Sequence, residues 1–167
     1  METEIKIEIH DVAGVRARLA DIGATFLGEV EEDNQYYDRD DELAERGESL
    51  RLRQDARARL TWKGRSSFDG GVVERPEIEI EVSSFADAAE IISRLGFQLT
   101  DRLAKRRETW RLGPVEIAID TLAFGTFVEF EGPAEEALIA AAQLGLDPAQ
   151  GIAHSYRRLK QRRSNPT

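Results

Sequence analysis

The chain has 167 residues, a third of them charged, a formal net charge of −9 and no cysteine. Its length suits a single domain, residues 1–167, with a sizeable core, and the absence of cysteine excludes disulfides, thiol catalysis and cysteine-based zinc sites. Net acidity speaks against nucleic acid as a partner; Glu2, Glu4 and Lys6 interrupt any apolar leader or span, so the expectation is a cytoplasmic protein without a membrane partner.

The first stretch alternates strictly. Ile5, Ile7 and Ile9 point one way on a strand, while Glu2, Glu4, Lys6 and Glu8 point the other. Asp11 then caps a helix whose Val12, Val15, Leu19 and Ile22 share a stripe, with Gly23 at its end. Residues 26–31 and 35–38 read as two short strands, and 39–48 as a charged loop or frayed helical turn. Residues 49–54 and 57–63 form a hairpin around Asp55-Ala56, with Leu50, Leu52, Leu60 and Trp62 on one face and Arg51, Arg53, Arg59 and Lys63 on the other. Residues 64–71 have the composition of a mobile loop.

Residues 77–82 alternate Glu with Ile or Val, and Ser84 caps a helix carrying Phe85, Ala88, Ala89, Ile92 and Leu95 before Gly96. The separation of Glu4 from Gly23 equals that of Glu77 from Gly96, so residues 2–23 and 77–96 read as a duplicated strand-helix unit. Residues 104–111, 115–120 and 126–131 are three further strands, Pro133 opens a helix closed by Gly145, and a short last helix near 153–159 leads into a basic tail at 160–167. Short connections make the sheet antiparallel.

Several strands therefore give one whole face to ionised groups, which cannot enter an apolar core unpaired. The expected fold is α+β: a closed antiparallel barrel of about eight strands, charged inside, with helices covering its apolar outer face. The basic set is Lys6, Arg51, Arg53, Lys63, Lys105 and Arg107, suited to phosphate oxygens. The acidic set is Glu2, Glu4, Asp120, Glu129 and Glu131, with Glu77 and Glu79 as additional acids. Oxygen-only ligands select Mg or Mn, and a linear polyphosphate or nucleoside triphosphate with metal is the implied ligand. The alternative is that these charges pair with one another as salt bridges.

The ordered blocks resemble the CYTH proteins, the triphosphate tunnel family that unites class IV adenylyl cyclases with thiamine triphosphatases and inorganic tripolyphosphatases. Glu2-Thr3-Glu4-Ile5-Lys6 carries the amino-terminal signature. Tyr36-Tyr37-Asp38, Leu50-Arg51-Leu52-Arg53, Thr61-Trp62-Lys63-Gly64, Glu77-Ile78-Glu79, Lys105-Arg106-Arg107, Ile119-Asp120, residues 125–131 and Ser155-Tyr156 come after it in order. The resemblance implies that the basic set binds triphosphate and that Glu2, Glu4, Asp120, Glu129 and Glu131 bind metal, two Mg or Mn ions, with Glu77 and Glu79 as further tunnel acids. It is strongest to the cyclase group, which makes ATP to cyclic AMP and pyrophosphate the first expectation. A tripolyphosphatase, or a thiamine or nucleoside triphosphatase, is the alternative, and a non-catalytic polyphosphate sensor the third. A homodimer is compatible with the sequence. No residue stands out as a general base; Phe124 departs from the small residue expected before Gly125, and Trp62 and Trp110 read as packing residues. Tyr36, Tyr37 and Tyr156 read equally as tunnel caps or core, and residues 157–163 as a solvated run.

Overall fold

The computed structural model describes residues 1–164. Ten strands run in chain order as β1 (Glu2–Ile9), β2 (Thr25–Asp38), β3 (Ser49–Gln54), β4 (Ala58–Lys63), β5 (Ser67–Asp69), β6 (Val72–Arg75), β7 (Glu77–Val82), β8 (Gln98–Leu112), β9 (Val115–Leu122) and β10 (Gly125–Glu131). The helices are α1 (Val12–Asp21), α2 (Glu42–Arg46), α3 (Phe85–Arg94), α4 (Ala134–Gln143) and α5 (Tyr156–Ser164), with a 3-10 turn at Pro148–Gln150. The hydrogen-bonded order is β5-β6-β1-β10-β9-β8-β2-β3-β4-β7. The β1–β10, β10–β9, β9–β8, β2–β3, β3–β4, β4–β7 and β5–β6 pairs are antiparallel.

The α+β class and the antiparallel order stand, but closure is not seen in the hydrogen bonding. There are ten strands rather than about eight, because residues 64–71, expected to be a loop, lead into the β5–β6 hairpin. Strand β6 takes the second edge of β1, so the ladder ends at β5 on one side and β7 on the other. Only Pro76 separates β6 from β7.

Contacts divide the chain into two compact units. The first comprises Val30–Ser66 and Arg75–Lys105; the second comprises Glu2–Glu29, Ser67–Glu74 and, among the described residues, 106–164, and β2 and β8 give residues to both. In the second unit, Ile5, Ile7 and Ile9 of β1 join Ile117 and Ile119 of β9 and Val128 and Phe130 of β10 in a buried layer. Val15 and Leu19 of α1 and Ala137, Ala140 and Ala141 of α4 cover it. Each large aliphatic side chain so removed from water contributes roughly 1.5–3 kcal/mol. The α1 start is capped as expected, the Asp11 carboxylate accepting from the Gly14 N–H at 2.8 Å. Its end turns through Gly23 at φ +77°, a left-handed conformation that favours glycine.

In the first unit, Tyr37 and Leu52 pack against Ala88 and Ile92 of α3, whose cap Ser84 accepts from the Asp87 N–H at 3.1 Å. Helix α3 contacts β3 and β4. Strand β7, on the far side of β4, keeps Ile78 and Ile80 64% and 54% exposed, and Leu95, expected on the buried stripe, is exposed as well.

Three boundaries differ from the sequence reading. The two short strands expected at 26–31 and 35–38 are one fourteen-residue strand, β2. The charges between them do not break it, because Asn34 and Tyr36 stand directly opposite Arg53 and Arg51 on β3. The 104–111 strand extends back to Gln98. The last helix starts at Tyr156 and takes in the basic run; Arg158, Arg162 and Arg163 are exposed, as expected of a solvated run, and Arg163 also donates to Glu8 at 2.6 Å and to the Phe124 carbonyl. Residues 165–167 of the expected tail lie outside the described residues.

Candidate active site

Strand register fixes which side chains share a face. In the second unit Lys6 stands opposite Glu129, Glu4 opposite Glu131, and Arg107 opposite Asp120. These residues occupy the face of β1, β10, β9 and β8 that points away from the isoleucine layer, since successive strand residues alternate. The Lys6 ammonium lies 3.1 Å from Glu4 and 3.1 Å from Glu129. Arg107 grips Asp120 with both arms of its fork, Nε to Oδ1 at 2.7 Å and Nη2 to Oδ2 at 2.6 Å, and also pairs with Glu129. The Tyr156 hydroxyl donates to Asp120 Oδ2 at 2.9 Å, and the Lys6 ammonium sits 4.5 Å from the centre of its ring. Lys6, Glu4 and Asp120 are all buried, Asp120 completely. Glu2 is half-buried at the start of β1 and Glu131 is exposed at the end of β10, so both lie toward the end of this face rather than at its centre.

Burial works against the charge on Lys6, but the Glu4 and Glu129 carboxylates outweigh it and hold the ammonium well above the ordinary lysine range. Burial first, then Asp120 and Glu129, push the Tyr156 hydroxyl well above the usual phenol range. Neither group therefore takes up a proton as a base near pH 7: one is already protonated, and the other keeps its proton.

In the first unit the balance of charge is different. Glu32 lies 3.3 Å from Arg53 and 3.5 Å from Lys105. Asn34 ties this group to the backbone, accepting from Arg53 Nε at 3.3 Å and donating to the Leu103 carbonyl at 3.2 Å. Beside it, Thr61 donates to Glu79 at 2.7 Å and accepts from Arg51 Nη2 at 3.3 Å, while Lys63 pairs with Glu77 at 2.7 Å. Arg51 Nε is buried and has no hydrogen-bond partner among the described residues. Arg51, Arg53, Lys63 and Lys105 thus face three named carboxylates here, whereas Lys6 and Arg107 face three in the second unit.

The all-oxygen donor set of Glu4, Asp120 and Glu129 fits a hard divalent cation in its chemistry. In its geometry these acids are gathered on protein cations instead. Among the described residues no three acidic side chains are disposed as ligands around one point. Lys6 bridges Glu4 to Glu129, and Arg107 bridges Glu129 to Asp120, so a divalent cation competes with both.

Sequence reasoning missed Glu32, Asn34, Thr61 and the central place of Tyr156. Glu32 fell into the gap opened by splitting β2; read as one strand, Glu32, Asn34 and Tyr36 alternate onto the Arg51–Arg53 face. Glu108 of β8 was missed for the opposite reason. It is a buried acid on the helix-facing side, held by Arg16 of α1 through a two-point contact with Nε at 2.9 Å. Trp110 is a packing residue, abutting Phe26 with ring centres 5.0 Å apart beside the isoleucine layer; Trp62 is half-buried on β4 between Leu50 and the exposed Ile78, and its indole N–H donates to Glu48 at 3.4 Å. Tyr37 belongs to the apolar core of the first unit, and Tyr36 stands on its charged face. Phe124, the departure from the expected small residue, lies under the Arg163 guanidinium at 5.9 Å.

Comparison with known proteins gives the same picture. A candidate adenylate cyclase of Methanocaldococcus jannaschii is 30% identical over 134 residues, 78% of this chain and 76% of that protein. Adenylate cyclase CyaB of Aeromonas hydrophila is 28% identical, covering 95% of this chain and 87% of its own. Among solved structures, a candidate adenylate cyclase of Vibrio parahaemolyticus shares the fold at a TM-score of 0.86 and 20% identity, over 96% of this chain and 97% of that one. A candidate adenylyl cyclase of Hippeastrum, described as having a dominant triphosphatase activity, shares it at 0.71 and 17%, over 96% and 95%. The family pattern of the CYTH domain matches residues 1–156, and the chain belongs to that family.

Proposed function

We propose that this chain binds a linear triphosphate together with Mg or Mn and acts on it as an adenylyl cyclase. The observation that carries the reading is the buried acid-cation network of Lys6, Glu4, Glu129, Arg107 and Asp120. Buried charge on this scale costs several kcal/mol per ion unless paired, and apolar residues of similar volume are often no worse for stability. A face that keeps such charge is suited to a highly charged ligand. Lys6 and Arg107 offer phosphate donors there, and Glu4, Asp120 and Glu129 would hold the cation, with Glu2 and Glu131 as outer acids. On the charged face of the first unit, Arg51, Arg53, Lys63 and Lys105 are phosphate donors in their own right, Arg51 as a planar fork with a buried Nε–H, with Glu77 and Glu79 as their counter-charges.

In the cyclase reaction the ATP 3′-hydroxyl attacks the α phosphorus, the bond from that phosphorus to the bridging oxygen breaks, pyrophosphate leaves, and the hydroxyl proton passes to solvent. Arginine and lysine donors neutralise the charge that grows on the leaving pyrophosphate. When bound, the divalent cations supply Lewis acidity to the phosphates and lower the pKa of the attacking hydroxyl. Lys6 stays protonated throughout, so its part is to bind and orient oxygen, not to accept the proton.

The triphosphatase named for the Hippeastrum structure supports a second reading, in which water attacks a terminal phosphorus and orthophosphate leaves. The position of Phe124, engaged with Arg163, also favours it, since that ring is not presented as a free platform for a base. Phosphorus NMR of ATP and, separately, of tripolyphosphate, each with Mg or Mn, separates the two. Cyclic AMP with pyrophosphate establishes the cyclase. Orthophosphate from tripolyphosphate with ATP intact establishes the tripolyphosphatase, and no turnover of either rejects the cyclase and the tripolyphosphatase.

A further inference from the structure

The first residue of α5 reaches into the centre of the charged face of the second unit. Three contacts hold it there. The Tyr156 hydroxyl donates to Asp120 Oδ2, its ring lies under the Lys6 ammonium, and its edge meets Phe127 with centroids 5.2 Å apart. The backbone leading to it is fixed by the Ile152 N–H donating to the Lys6 carbonyl at 2.8 Å. At the other end of α5, Arg163 is held by Glu8, on the same face of β1 as Lys6, and by the Phe124 carbonyl. The helix is therefore anchored at both ends, and its Tyr156 end touches the acid-cation network.

We infer that Tyr156 is a positioning residue of the site, its hydroxyl orienting the Asp120 carboxylate and its ring holding the Lys6 ammonium in register with Glu4 and Glu129. This rests on the triphosphate-and-metal reading above. Asp120 Oδ2 takes two donors, Arg107 Nη2 and the Tyr156 hydroxyl, while Oδ1 takes Arg107 Nε. A guanidinium fork alone fixes the carboxylate in the plane it shares with the fork. The hydroxyl adds a donor from another element and so restricts rotation about the Asp120 side chain. Lys6, with a flexible four-carbon stem, gains from the ring a second constraint besides its two carboxylates. Loss of the hydroxyl and loss of the ring should therefore have different signatures. The hydroxyl acts on an acid that holds the cation, and the ring acts on a cation that holds phosphate.

The test is equilibrium binding on the full chain, with no turnover required. Mn²⁺ affinity is read by electron paramagnetic resonance, and metal-free tripolyphosphate affinity by calorimetry. Tyr156→Phe keeps the ring and removes the hydroxyl. It should weaken Mn²⁺ binding roughly 10- to 100-fold, the range for lost outer partners of metal ligands, and leave tripolyphosphate affinity within about twofold. Tyr156→Leu should weaken both. Arg163→Met loosens the far end of α5 without touching Asp120, and should leave Mn²⁺ affinity within about twofold. The inference is overturned if Tyr156→Phe binds Mn²⁺ like the wild type, or if Arg163→Met loses as much Mn²⁺ affinity as Tyr156→Phe, because docking of the helix would then be the cause. A wild type that binds neither Mn²⁺ nor tripolyphosphate rejects the functional reading itself and this inference with it.

Discussion

Replacing Lys6 by Met keeps most of the side chain's volume and removes its charge, and the surrounding carboxylates set the size of the effect. The ammonium is 3% exposed and lies 3.1 Å from each of two carboxylates, Glu4 and Glu129, whose side chains are 8% and 12% exposed. Breaking a buried ion pair by removing one partner costs about 3–5 kcal/mol. Glu129 keeps Arg107, which places this case near 3 kcal/mol. For a chain of this size each kcal/mol moves the melting temperature by roughly 2–4 °C, so a fall of about 6–12 °C is expected at pH 7. A divalent cation at a hundred times its dissociation constant should restore about 2.7 kcal/mol, most of the loss. Thermal melts of both proteins at pH 7, with and without Mn²⁺, measure both effects. A variant that melts within 2 °C of the wild type at pH 7 would show that the network carries neither the burial cost nor the site assigned to it.

Three further outcomes are expected. Glu32→Gln removes the carboxylate between Arg53 and Lys105 and should lower the melting temperature of the ligand-free protein while tightening metal-free tripolyphosphate binding on the order of tenfold; weaker binding in calorimetry would show that these cations do not meet phosphate. Arg16→Met leaves Glu108 buried on the helix side and should cost about 2 kcal/mol, below the range for a fully buried pair because Arg16 is part-exposed. Triphosphate affinity should be unchanged in that variant, and a changed affinity would place Glu108 in the site after all. Finally, Lys6 and Tyr156 both have folded-state pKa values raised above their unfolded values of about 10.5 and 10. Their stabilisation is complete below about pH 10 and lost above it, so urea midpoints should hold to near pH 9.5 and then fall, less steeply in Tyr156→Phe. Equal alkaline slopes in the two proteins would deny Tyr156 its buried, proton-holding state.

Much of the site was legible because a strand's period is two. Once Glu4 and Lys6 fall on one face and Ile5 and Ile7 on the other, pairing of β1 with β10 puts Lys6 and Glu129 on a common face, and the register sets them opposite one another. Asp120 and Arg107 come together by the same rule. A single sequence does not carry which strands become neighbours, or which edge an extra hairpin occupies. The β5–β6 hairpin was readable locally, since Asp69-Gly70-Gly71 between Phe68 and Val72-Val73 is a hairpin-turn signal, but its place on the edge of β1 was not. Tyr156 was undecidable from its neighbours, because a tyrosine at a helix start packs into apolar or polar surroundings equally well. Its partners, Lys6 and Asp120, are 150 and 36 positions away in the chain. Glu108 shows the limit of reading charge as site. It has the period and burial of its neighbours, and only the position of Arg16 on α1 reveals that it braces a helix.

The exposed isoleucines of β7 have a colloidal consequence. An end strand with bare aliphatic side chains invites edge-to-edge association, and here the guard against it is the chain's net negative charge, together with the polar, ion-paired Glu77, Glu79 and Glu81 that alternate with Ile78 and Ile80. That guard depends on the medium. Near the sequence isoelectric point of about 4.9 the net repulsion of nine negative charges vanishes, and in concentrated salt it is screened. Solubility should therefore pass through a sharp minimum on mild acidification, with β7 as the seam along which molecules first adhere. Exchanging Ile78 and Ile80 for threonine would keep the strand and widen the range of pH over which the protein stays dispersed.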